Sequence, residues 1–236
     1  YSSIVKPTDY FNTVLYSGTG SSQAITGVGF QPDWIWFKCR SQNQNHNLFD
    51  VIRGSNKIIQ TSTSNAEATS TALLTSFDSD GFTVNTDGGV NGSGQTYASW
   101  NWLGANGTAS NTDGDITSSV SANTTAGFSI VSFTGNGSSD QQVGHGLATT
   151  PTCYITKDRT NGSTNWHYHT TQIDGGMDYA FLNATNAFSS SSLSTPSSTT
   201  IRVGGTINTS SANFISYVFA EKKGFSKFGS YTGNGT

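Results

Sequence analysis

The sequence predicts an all-β protein, and three observations carry that reading. Ser, Thr, Asn and Gly supply about half of the 236 residues, while Asp, Glu, Lys and Arg together make up only 11%. Helical bundles need Ala, Glu, Lys and Leu in abundance, and these are scarce here. Aromatic residues nonetheless reach 12%, a content that disordered chains lack. Short apolar runs also alternate with Gly- and Asn-rich turns from end to end.

Taken in order, residues 1–10 form a lead-in. Phe11 to Tyr16 is rich in β-formers and closes on Gly18 and Gly20, a turn that tolerates positive φ. Trp34, Ile35, Trp36 and Phe37 are apolar on both faces, as in a buried central strand. Asp80-Gly81 is a hairpin-type turn into Phe82 and Val84. Ala98, Trp100 and Trp102 alternate with Ser99 and Asn101, which predicts an aromatic core face and a polar face.

The same phrases then return. Phe11, Val14, Tyr16, Gly18 and Gly20 align with Phe128, Val131, Phe133, Gly135 and Gly137, each 117 residues further on. Tyr97, Trp100 and Trp102 align with Phe214, Tyr217 and Phe219 at the same step of 117. Between them Pro32, Lys38 and Arg40 meet Pro151, Lys157 and Arg159. Repeats of this length and strand density predict two tandem antiparallel β-sandwiches, of jelly-roll or concanavalin-like winding, over 11–104 and 128–224. A polar linker at 105–127 joins them. Residues 225–236 repeat the opening phrase and read as the first strand of a following repeat, so the chain reads as part of a longer or processed protein.

The predicted core of the first repeat is Val14, Tyr16, Ile35, Phe37, Phe82, Val84, Trp100 and Trp102. That of the second is Val131, Phe133, Tyr154, Ile201, Val203, Tyr217 and Phe219. Cys39 and Cys153 fall at different points of different repeats and are expected to be unpaired. Net charge is −3 with scattered Lys and Arg, which argues against nucleic acid as a partner. No run of 18 apolar residues is present, so no membrane insertion by a spanning helix is expected.

The stretch from Phe128 to Gly137, followed by Gly144, His145, Gly146, Leu147, Pro151, Ile155 and Lys157, resembles a repeat of tail and fibre proteins of tailed bacteriophages, marine ones especially. Asn165, Trp166, Tyr168 and His169, then Phe181 and Asn183, resemble it too, as does the linker from Asn111 to Gly127. The resemblance spans residues 11–236 and departs in the first repeat, where Asn47 to Asp50 replaces the Trp and His phrase. It implies a non-enzymatic structural segment of a virion fibre or tail-surface protein, exposed on the virion surface and extracellular when assembled. The implied partners are copies of itself in a homotrimer, other virion proteins, and host-surface glycans. A stand-alone lectin-like glycan-binding module is the alternative. A glycan-processing enzyme is a third reading, disfavoured because the repeats share no acidic position that would face another across a cleft.

Several residues carry candidate chemistry. Lys38 with Arg40 and Lys157 with Arg159 form a recurring Lys-x-Arg pair, read either as bonding strand-end carbonyls and nearby carboxylates or as binding acidic sugars or a partner subunit. Trp166 is a candidate platform for a sugar ring. His167 and His169 share one strand face, a metal-ligand spacing that three copies around a trimer axis would turn into an octahedral site. Asp78 with Asp80, and Asp113 with Asp115, have the alternation of a calcium loop but lack its closing Glu. The expectation is therefore no cofactor, with calcium and a trimer-axis metal as the alternatives. His145, between two glycines, is read as a loop hydrogen-bonder.

Overall fold

Apolar runs separated by tight polar turns fold into antiparallel strands along the whole chain. The computed structural model describes residues 2–234. Its first part holds β1 (Phe11–Ser17), β2 (Gln23–Thr26), β3 (Trp34–Cys39), β4 (Asn47–Asp50), β5 (Lys57–Gln60), β6 (Ala68–Thr69), β7 (Leu74–Asp78), β8 (Gly81–Val84) and β9 (Thr96–Trp102). Next come β10 (Ala109–Asn111) and β11 (Ser118–Asn123). The remainder holds β12 (Phe128–Thr134), β13 (Gln141–Gly144), β14 (Cys153–Asp158), β15 (His167–Thr170), β16 (Asp178–Phe181), β17 (Ser189–Ser190), β18 (Thr200–Val203) and β19 (Asn213–Phe219). The class is all-β, built of antiparallel sheets packed as sandwiches.

One large sheet runs β1-β9-β3-β4-β5-β6 and the other β10-β11-β12-β19-β14-β15-β16-β17. Apart from β10 and β11 the two share one strand order. Their register agrees as well, since Phe11 faces Trp102 and Phe128 faces Phe219. The turn after each first strand is also the same. A Cβ on Gly18 would collide with the carbonyl of Gly92, and one on Gly135 with that of Thr209.

A small sheet covers one face of each large one, β2-β8-β7 in the first half and β13-β18 in the second. The first core, between its sheets, contains Ile35, Phe37, Phe49, Phe82 and Val84. The second contains Val131, Phe133, Tyr154, Ile201, Val203 and Phe214. A third core lies where the large sheets meet back to back, and holds Trp34, Leu48, Phe128, Trp166, Ile215 and Tyr217. Burying each large ring there removes about 150–250 Å² from water, roughly 4–6 kcal/mol before the entropy of ordering is set against it.

This shared core corrects several expectations. The run Trp34 to Phe37 is apolar on both faces because Ile35 and Phe37 enter the first core while Trp34 and Trp36 enter the shared one. Tyr217 and Phe219 belong to the shared core as well. Trp100 is half-buried beside Trp36, while Ser99 and Asn101 are fully buried. The polar face of β9 is thus an inner one, where Asn101 Nδ2 donates to the carbonyls of Asn12 and Ser99 while its Oδ1 is left without a partner. Val14 and Tyr16 pack half-buried against the first core.

Two boundaries also differ. The segment 105–127 is more than a connecting loop, because β10 and β11 extend the second sheet by pairing with each other and with β12. Residues 225–234 form no strand. They make a strap instead, with Phe225 edge-on to Tyr10 at 6.3 Å and Phe228 against Phe219 at 5.9 Å. The last two residues of the expected strand, 235 and 236, lie outside the described residues. Cys39 and Cys153 are free and buried.

Candidate functional site

The residues proposed from sequence to meet a ligand are mostly consumed by the junction between the halves. Lys157 is fully buried, and its ammonium donates to the carbonyls of Ser64 at 3.0 Å and Thr164 at 2.8 Å. Burial lowers its pKa to about 8, opposed by neighbouring Asp158. Arg159 forks onto Glu67, with Nε to Oε2 at 2.9 Å and Nη2 to Oε1 at 3.0 Å. Trp166 is buried in the shared core, and its Nε1 donates to the carbonyl of Gln60 at 3.0 Å. All three therefore bond to the first half of the chain, Lys157 and Trp166 from buried positions and Arg159 from a partly exposed one. In the first half Lys38 donates to the Gln44 carbonyl at 3.3 Å, and Arg40 is exposed.

A buried polar cluster at this junction escaped the sequence reading. Asp50 accepts from Arg53 Nε at 2.5 Å and from the Tyr217 hydroxyl at 2.7 Å. Arg53 also reaches Glu67 Oε2 at 3.4 Å, so Glu67 links Arg53 to Arg159. Burial pushes the Arg53 pKa down, but Asp50, Tyr217 and Glu67 more than reverse this and hold the guanidinium charged. The one available signal was the Asp50 and Arg53 spacing, which does not reveal a partner 164 residues away.

The carboxylates of Asp78, Asp80 and Asp115 accept hydrogen bonds from the chain itself. Asp80 accepts from the N–H groups of Gly27 at 3.1 Å and Gly29 at 2.6 Å, and Asp115 from Gln142 N–H at 2.9 Å. Asp78 accepts the Thr83 hydroxyl at 2.7 Å, and the Asp113 N–H donates to Asn111. His145 is buried, its Nδ1 accepting from Leu147 N–H at 3.1 Å, in the hydrogen-bonding role expected of it.

His167 and His169 do come together, in a cleft of about 580 Å³ on the second half alone. Both rings lie on β15, 5.9 Å apart and nearly parallel. Tyr179 and Phe181 flank them on β16, and Asp140, Leu193, Gly204 and Thr206 form the opposite wall. Burial lowers the His167 pKa to about 4, aided by the charge of Lys157. Burial likewise lowers that of His169 to about 3, aided by His167. Both imidazoles are neutral at pH 7. His167 Nε2 lies 3.3 Å from the Thr206 hydroxyl, and the buried Nδ1 of His169 has no hydrogen-bond partner. Among the described residues no three His, Cys, Asp or Glu side chains group to hold a metal, so within one chain the histidine pair has no third ligand.

The first half closes the same place. By strand register Asn47, Phe49, Ile58 and Gln60 occupy the positions of His167, His169, Tyr179 and Phe181. Phe49 and Ile58 pack there with Leu73 and Leu74, and β7 completes the small sheet. The second half has no strand at this point, and residues 191–199 run irregularly past Pro196. Proline lacks the N–H that a sheet position needs.

No curated protein and no solved structure matches the chain. One family model does, over residues 6–236, and on that extent the chain belongs to the family described as Domain of unknown function (DUF7483).

Proposed function

We propose that the chain is a non-enzymatic structural segment of a tailed-bacteriophage fibre or tail-surface protein, displayed on the virion and able to contact host glycans. The observation that carries this reading is the back-to-back union of the two sandwiches. A shared apolar core and the Asp50, Arg53, Glu67 and Arg159 cluster turn them into one stiff block, which is what a load-bearing or spacing element requires. The resemblance of the Phe128 to Lys157 phrases to phage fibre repeats supports the setting. Association with further copies, as in a homotrimer, is supported by the outer edge of β1. That edge is open where β11 covers the equivalent edge of β12, and it carries Leu15 at 61% exposure. An open seven-residue edge strand is a site for pairing.

Antibody raised against the purified chain should decorate the tail or fibres of the phage particle in immunogold electron microscopy. Light scattering should give an oligomer that Leu15→Lys weakens. Particles that carry no label, together with a monomer at every concentration, would defeat the reading. The alternative of a stand-alone glycan-binding module is favoured by the open cleft on the second half.

A further inference from the structure

We propose that the cleft between β15–β16 and the 204–207 turn is a binding site for a neutral, hydroxyl-rich saccharide ring. This deepens the host-contact part of the reading above and rests on it for its biological setting, not for its chemistry.

The two halves provide an internal control. Where the first half seals its sandwich with Phe49, Ile58, Leu73 and Leu74, the second sets His169 and Tyr179 at the matching strand positions and leaves space. The opposite wall is lowered as well. By register Asn85 and Thr86 follow β8 where Gly204 and Gly205 follow β18. A Cβ on Gly204 would press on Leu193 and on the backbone of Asp140 at 3.0 and 2.9 Å. Gly205 has φ +56°, a backbone that L side chains rarely adopt. Three departures from one template, in strand side chains, in a missing strand and in a glycine pair, all open the same space.

The lining then defines the ligand. His169 is 3% exposed, lines the cleft and keeps an unpartnered ring nitrogen. A buried polar atom left unpaired is costly unless something meets it. Tyr179 and Phe181 present aromatic carbon, the surface that the C–H face of a pyranose covers. Asp140 stands at the rim with φ 48°, a strained backbone for a residue other than glycine. Its carboxylate accepts the N–H and hydroxyl of Ser194 at 2.8 and 2.6 Å. Lone pairs remain on it for ligand hydroxyls. Ser139 and Thr206 add exposed hydroxyl groups. The one charged group lining the cleft is this carboxylate, which Arg202 Nη1 meets at 3.7 Å from outside the lining, and no Lys or Arg lines the cleft to receive an acidic sugar. A volume of about 580 Å³ lies within the range of small-molecule sites and holds a mono- or disaccharide.

The test is a titration of the purified chain by saturation-transfer NMR and calorimetry. The probes are methyl glycosides of glucose, galactose, mannose and N-acetylglucosamine, with N-acetylneuraminic acid as the anionic comparison. At least one neutral glycoside should bind saturably with a Kd in the millimolar range or below, and N-acetylneuraminic acid about tenfold more weakly or not at all. Tyr179→Ala and the rim substitution Thr206→Trp should each weaken binding by about tenfold or more. Thr206 is exposed, so its variant keeps the wild-type melting temperature and separates lost binding from lost folding. Gln60→Ala, at the matching place in the first half, should bind as wild type does. No saturable binding by any neutral probe, binding unchanged in both cleft variants, or tighter binding of the anionic sugar would each overturn the proposal. Labelled particles with a sugar-blind cleft would leave the fibre reading standing, and unlabelled particles with a variant-sensitive sugar complex would leave the cleft standing.

Discussion

The hydroxyl of Tyr217, on the last strand of the second half, donates a 2.7 Å hydrogen bond to Asp50, on the fourth strand of the first. Both residues are fully buried, and Asp50 also neutralises Arg53. Removing one member of such a pair strands a charge in the interior. Arg53→Ala is expected to destabilise the chain by about 3–5 kcal/mol. Tyr217→Phe, which removes only the hydroxyl, is expected to cost about 1.5–3 kcal/mol. Guanidinium unfolding followed by tryptophan fluorescence measures both.

The shared core also makes the halves one cooperative unit. Differential scanning calorimetry should give a single transition whose van't Hoff and calorimetric enthalpies agree. Two resolved transitions would mean that the sandwiches melt independently and that the back-to-back contact adds little.

The sequence treats Trp166 and Arg40 alike as ligand candidates, but their burial separates them. Trp166→Ala should cost about 3–5 kcal/mol, the range for emptying an aromatic from a core. Arg40→Ala, on the surface, should stay within about 0.5 kcal/mol. Equal effects in denaturant titrations would contradict the burial of Trp166.

The two cleft histidines predict a pH dependence of stability. Their folded pKa values lie near 4 for His167 and 3 for His169, against about 6.5 in an unfolded chain. Between about pH 6.5 and 4 the unfolded state binds more protons, so stability present above 6.5 is lost as pH falls through that window. Asp33, whose pKa is raised chiefly by burial, acts in the opposite sense because its folded form takes up a proton first. Thermal melts from pH 7 to 4.5 should therefore show a decline that His169→Phe makes shallower. Each kcal/mol recovered by the variant is worth about 2–4 °C at the lower pH. An unchanged slope in the variant would show that His169 does not contribute.

The strand phrases, their constant step and the all-β class could be read from the chain, because alternation, turn residues and aromatic content are local properties. Phe11 and Phe128, or Trp102 and Phe219, announce equivalent strand ends without any knowledge of their neighbours. What covers each face is a different kind of fact. Ser99 and Trp100 alternate as any half-buried strand would, yet the serine is buried and the tryptophan half-open, because a second sheet meets one face and a small sheet the other. For Lys157 the sequence left carbonyl bonding and ligand contact both open, and the Ser64 and Thr164 carbonyls that close around it decide for the first. The cleft at His169 is open in part because a strand present in the first half is missing opposite it. Periodicity states that a strand has two faces, but burial is decided by what packs on each, and that choice is made partly by residues far along the chain, as Ser64 is 93 residues from Lys157.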